Sequence, residues 1–152
     1  MKPVLQAMLL ADHVYQDTSG KHIIAGVFNK MTFSKADAKI VEIDGEKRQL
    51  VLGGVQAGSP YVYVSLTEVH GKVGCVLRYV NLKHDKVLMQ IGLTIEADNP
   101  LQTVEIVLPM PNLPTEAGVH ALELLCDDAP VGSLRIIVEE VLEENNDHDS
   151  TK

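Results

Sequence analysis

The sequence predicts an all-β chain built as an antiparallel two-sheet sandwich, immunoglobulin-like or C2-like, with roughly seven to nine strands. Three observations point there. Several segments alternate apolar and polar residues with period two. Clusters of Gly, Asp, Asn and Pro separate them at short intervals. No long segment keeps a helical period.

Leu5–Tyr15 and His22–Phe28 flank Asp17-Thr18-Ser19-Gly20, where Ser-Gly supplies the positive φ of a reversal, so a hairpin is expected. Residues 29–58 read as an excursion on the sandwich. Ser34-Lys35-Ala36-Asp37 fits a capping box, which predicts one short helix near 35–40. Ile40–Ile43 and Gln49–Val55 flank Asp44-Gly45-Glu46-Lys47, a second expected hairpin. Tyr61–Val69 is the clearest strand: Val62, Val64 and Leu66 share one face, Tyr61, Tyr63, Ser65 and Thr67 the other. His70-Gly71-Lys72 then turns the chain into Val73–Asn81. There Cys75, Leu77 and Tyr79 point inward, and Val76, Arg78 and Val80 outward, because a lone Arg is rarely buried.

Lys86–Glu96 sends Val87, Met89, Ile91, Leu93 and Ile95 to one side and Leu88 to the other. Gln102–Leu108 turns Val104, Ile106 and Leu108 inward, and Pro109, Pro111 and Pro114 stiffen the next crossing. Val119–Cys126 is rich in helix formers but short, and it lies between Gly118 and Asp127-Asp128. It reads as the first arm of a hairpin that ends in Ser133–Val138.

With 152 residues, 45% of them apolar, the chain is long enough for one core. Residues 1–142 are assigned to that domain and 143–152 to an acidic mobile tail. Residues 139–152 hold six carboxylates against one lysine, or −5 of the net −8. No Lys/Arg cluster suits a phosphate backbone, so nucleic acid is not an expected partner. The apolar start, Val4–Ala11, is short and broken by Gln6, and reads as strand rather than leader. A cytoplasmic location is therefore expected. No apolar run reaches the roughly 18–20 residues of a membrane span. Cys75 and Cys126 fall in apolar strands and are expected to be reduced and buried.

Three pieces together resemble an uncharacterised bacterial β-sandwich family of about this length. They are Leu10-Ala11-Asp12-His13-Val14 with Gly20-Lys21 and Ile24-Ala25-Gly26-Val27-Phe28; Tyr61-Val62-Tyr63-Val64 with its next strand; and Gly118-Val119-His120-Ala121-Leu122-Glu123-Leu124 before an acidic turn. The resemblance implies the sandwich fold and no activity.

The chain lacks Gly-x-Ser-x-Gly, His-Glu-x-x-His, a phosphate loop and Cys-x-x-Cys. Asp12 and His13 stand out because they interrupt an apolar strand. The bland reading satisfies Asp12 with a backbone bond; the sharp one makes an acid/base pair, although no nucleophile stands beside it. His13 and His22 are diagonal neighbours at best across the first hairpin, and no third ligand completes a metal site. His120 reads as a core or boundary histidine. Asp44, Asp85, Asp98, Asn99, Asp127 and Asp128 lie in turns, where Asx residues serve turn chemistry more often than calcium. Tyr61, Tyr63, Val76, Val80 and Leu88 form one outward apolar set, a candidate interaction surface. The expectation is a non-enzymatic binding or assembly module without a cofactor, paired with a protein partner or with itself. Two alternatives stay open: an enzyme or small-ligand carrier with a site near Asp12 and His13, and a calcium-dependent module using the turn aspartates.

Overall fold

The computed structural model describes residues 2–33, 38–43, 45–51, 60–110 and 116–141. In chain order the strands are β1 (Val4–Gln16), β2 (His22–Phe28), β3 (Lys30–Phe33), β4 (Ala38–Ile43), β5 (Glu46–Val51) and β6 (Tyr61–Thr67). They continue with β7 (Gly71–Asn81), β8 (Lys86–Ala97), β9 (Val104–Pro109), β10 (Gly118–Cys126) and β11 (Ala129–Glu140). No helix occurs among the described residues. The helix expected near 35–40 is corrected where the chain can be read, since Ala38–Ile43 is strand. Residues 34–37 and the expected tail, 143–152, lie outside the described residues.

Two sheets hold nine of these strands. The first runs β2-β1-β6-β9 and is antiparallel throughout. The second runs β3-β11-β10-β7-β8, and β3 lies parallel to β11. This sheet is therefore mixed, not antiparallel as expected. β3 also joins the sheet edge, so residues 30–33 are no part of an excursion. β4 and β5 pair with each other around Gly45, whose φ of 79° supplies the reversal read from the sequence.

The hairpins β1–β2, β7–β8 and β10–β11 form where alternation and turn residues place them. β6 and β7 do not pair. Glu68 takes a φ of 58° and donates its backbone N–H to the Pro100 carbonyl at 2.9 Å, while Val69 is wholly buried. The short link Glu68–His70 thus turns a corner from the first sheet to the second. A short link running into Gly71 serves a hairpin or a corner equally well, and the buried Val69 decides for the corner.

The inward faces of both sheets meet in one apolar cluster. Met8, Leu10, Val62, Val64, Leu66 and Ile106 come from the first sheet; Val73, Cys75, Leu77, Tyr79, Leu122, Leu124 and Ile136 come from the second. Each such side chain removed from water is worth roughly 1.5–3 kcal/mol, so this cluster holds the sheets together. β10 lies in the middle of its sheet, with Leu122 and Leu124 buried on one face and Ala121 and Leu125 on the other. Burial on both sides explains its continuous apolar run. Among the described residues no helix is long and apolar enough to cross a membrane.

Candidate functional site

The strand β1 serves two neighbours. Val4–Ala11 pairs with β6, and Leu10–Gln16 pairs with β2. Leu9 sits opposite Tyr63, and Gln16 sits opposite His22. A straight strand at about 3.3 Å per residue would hold those two registers roughly 23 Å apart. The rings of His22 and Tyr63 are instead 5.6 Å apart. The β1–β2 hairpin therefore curls back over the first sheet. It covers the outer face, because Tyr63 and Glu105 alternate with the core residues Val64 and Ile106.

The bend lies at Asp12 and Gly26, between the pairs Ala11↔Val27 and His13↔Ala25. Gly26 has a φ of 73°, which a residue with a side chain resists. A Cβ there would also overlap the Asp12 carboxylate. Asp12 is exposed and packs into the space the glycine leaves.

A polar clasp holds the curled hairpin down. Glu105 Oε2 accepts a hydrogen bond from the Tyr63 hydroxyl and lies 2.7 Å from His22 Nδ1. The side chains of His22 and Glu105 are 17% and 32% exposed, so the contact is partly screened from water. Burial, and then the bond to Glu105 and its charge, push the Tyr63 phenol above its ordinary range. Tyr63 therefore stays a protonated donor at neutral pH. The three groups hold one another rather than leaving a poised base.

The opposite side of the hairpin faces solvent. His13 stacks on Tyr15, with ring centroids 5.6 Å apart and planes 19° from parallel. Tyr15 stands directly across from Ile23, and the two are 53% and 51% exposed. Val27, opposite Ala11, is 57% exposed. Tyr15 and Ile23 make a bare apolar strip at the turn end of β1 and β2, and Val27 is a further exposed apolar residue of β2, the edge of its sheet.

The structure thus gathers Asp12, His13, His22, Tyr61 and Tyr63 around one hairpin, but not as a joint polar site. His13 and His22 fall on opposite faces, since His22 shares its face with Gln16, an odd number of residues from His13. Tyr61 pairs with Ala11, which is wholly buried. Val76 and Val80 sit on β7 of the other sheet, opposite Leu125 and Ala121, so the single apolar set expected from the sequence is split between two sheets. Val80 is only 4% exposed there. Leu88 is the extra residue of a bulge between Tyr79↔Met89 and Val80↔Val87, and it packs on the core instead of facing out.

The turn aspartates do not converge. Asp85 closes β7–β8 at one end of the second sheet; Asp127 and Asp128 close β10–β11 at the other. Asp85, Asp127 and Asp128 adopt φ of 48°, 48° and 64°, and Asn99 Oδ1 accepts from Leu101 N at 3.0 Å, which is turn chemistry. Asp44 lies outside the described residues. Among those residues no group of three or more His, Cys, Asp or Glu is arranged to hold a metal ion. Glu105 was not singled out from the sequence, because one Glu on the solvent side of a strand looks like any solvated residue. The bare strip did leave a signal: His22–Phe28 contains no Asp, Glu, Lys or Arg. No protein-family model matches the chain, and no curated protein matches it.

Proposed function

We propose that this chain is a non-enzymatic assembly module of two-sheet sandwich architecture that associates with a second copy of itself through β2. The shared core of the two sheets supports the sandwich. The observation that carries the assembly reading is the lack of charge on one edge. Of the four edge strands of the two large sheets, β3 carries Lys30, β8 carries Lys86 and Glu96, and β9 carries Glu105 and Pro109. Charges and prolines of this kind keep open edges from pairing. β2 has neither and adds the exposed Ile23 and Val27.

Charge also selects the occupant. The chain carries a net −8, so two copies repel at long range. In an antiparallel pairing about a two-fold axis, a charged residue near the axis meets its own copy. An uncharged strand avoids this, and the clasp holds it in a fixed shape before contact. The enzyme or carrier alternative loses support, because Asp12 is taken up by the bend and the His13 ring by Tyr15. Two free, buried thiols suit a reducing compartment such as the cytosol.

The test is mass in solution with Val27→Lys, whose side chain starts 57% exposed and leaves the core untouched. A dimer that becomes a monomer with unchanged circular dichroism is the expected result. A monomeric parent chain, or a dimer that Val27→Lys leaves intact, overturns the reading.

A further inference from the structure

Cys75 and Cys126 are direct partners across β7 and β10, with their sulfurs 3.2 Å apart. The register at this point suits a covalent bridge. Asp127 N donates to the Gly74 carbonyl at 2.8 Å, so the bonded pair of the ladder is Gly74–Asp127. Cys75 and Cys126 then form the adjacent non-hydrogen-bonded pair. In such pairs the Cα atoms lie about 4.5 Å apart with side chains close, inside the roughly 4.4–6.8 Å that a disulfide spans. Both thiols are free and buried, at 2% and 1% exposure.

We propose that Cys75 and Cys126 are a covalent modification site, joined by hydrogen peroxide into a cross-strand disulfide that ties β7 to β10. One thiol, as its thiolate, attacks a peroxide oxygen; the O–O bond breaks and hydroxide leaves, giving a sulfenic acid. The neighbouring thiol attacks that sulfur and expels the oxygen as water. In sum two thiols and one peroxide give one disulfide and two waters, with two electrons passing from sulfur to oxygen. The sulfur beside it captures the sulfenic acid before a second oxidant arrives. Burial, then the contact with Cys126, pushes the Cys75 thiol up to about 12, so little thiolate exists at neutral pH. The site answers sustained oxidation and ignores brief exposure. It is independent of β2, which belongs to the other sheet.

The experiment incubates the full chain with peroxide, alkylates it in denaturant, and reads intact mass and peptide maps. The expected product is a single chain lighter by two hydrogens, unalkylated at both cysteines and restored by dithiothreitol. The bridge closes a loop across 51 residues. Its melting temperature should rise by on the order of 5–15 °C. Cys126→Ser should form no bridge and collect oxygen on Cys75. Two alkylated cysteines, oxygen gained at Cys75 of the parent chain without a bridge, a bridge between chains, or a lowered melting temperature would each overturn the proposal.

Discussion

His120 lies in the core with 0% exposure, and neither ring nitrogen has a hydrogen-bond partner among the described residues. Its ring stacks flat on Tyr79, with centroids 5.0 Å apart. The Glu116 carboxylate accepts instead from Asn81 Nδ2 at 2.7 Å. Burial lowers the His120 pKa from its ordinary 6.5, against the smaller opposing pull of the Gly118 backbone and then of the Glu116 charge. A depressed pKa means that the unfolded chain binds this proton more readily than the native one. The stability tied to neutral His120 is then complete above about pH 6.5 and drains away as pH falls below it. His120→Leu, close in volume, should stay within about 1 kcal/mol of the parent at pH 7, since the lost stacking offsets the relief of two orphaned nitrogens. Urea titrations at pH 7 and pH 5 should show the variant losing less stability than the parent; equal losses would remove His120 as the acid-sensitive group. Gly26 makes a second prediction at this scale. Gly26→Ala forces a side chain into positive φ and into the Asp12 carboxylate, which costs about 2 kcal/mol. A melting temperature equal to the parent's would mean that the bend is not where the chain is constrained.

At the scale of elements the curled β1–β2 hairpin depends on one carboxylate. Glu105→Ala removes the acceptor shared by Tyr63 and His22 and should cost about 1–2 kcal/mol, the lower end reflecting partial exposure. Amide exchange should quicken in residues 13–25, which overhang β6, while β7 and β10 keep their protection. Uniform quickening in both sheets would mean that the clasp supports the whole fold. The hairpin itself was legible, because Asp17-Thr18-Ser19-Gly20 separates two apolar runs and Asp17 Oδ1 does accept from Ser19 and Lys21. Alternation likewise placed Val62, Val64, Leu66, Cys75, Leu77 and Tyr79 in the core. What alternation cannot carry is partnership between strands. It set Tyr63 and Val76 on outward faces without revealing that Glu68–His70 changes sheets. It also cannot foresee the extra residue at Leu88, which resets the faces of β8 within one step. The clasp was out of reach for a similar reason: His22 and Glu105 are 83 residues apart, and only the backward curl of β1 brings them together.

For the whole molecule, net charge and the bare edge oppose each other. Each copy carries −8, and bringing two together raises the electrostatic energy wherever the approach is made. The proposed contact adds no compensating ion pair, because β2 lacks charged residues and its one histidine is engaged with Glu105. Attraction there is apolar burial of Ile23, Val27 and Tyr15 together with backbone pairing, and neither weakens as salt is added. Salt screens only the repulsion, with the screening length falling from about 30 Å at 0.01 M to about 3 Å at 1 M. Association should therefore tighten as ionic strength rises, the reverse of an interface made of salt bridges. Sedimentation equilibrium at both salt concentrations reads this directly, and Val27→Lys separates the contact from general salting-out. With that variant, added salt should restore little association, since the lysine also blocks packing along β2. If the parent chain dissociates as salt increases, charge pairs hold the copies together and β2 is not the contact.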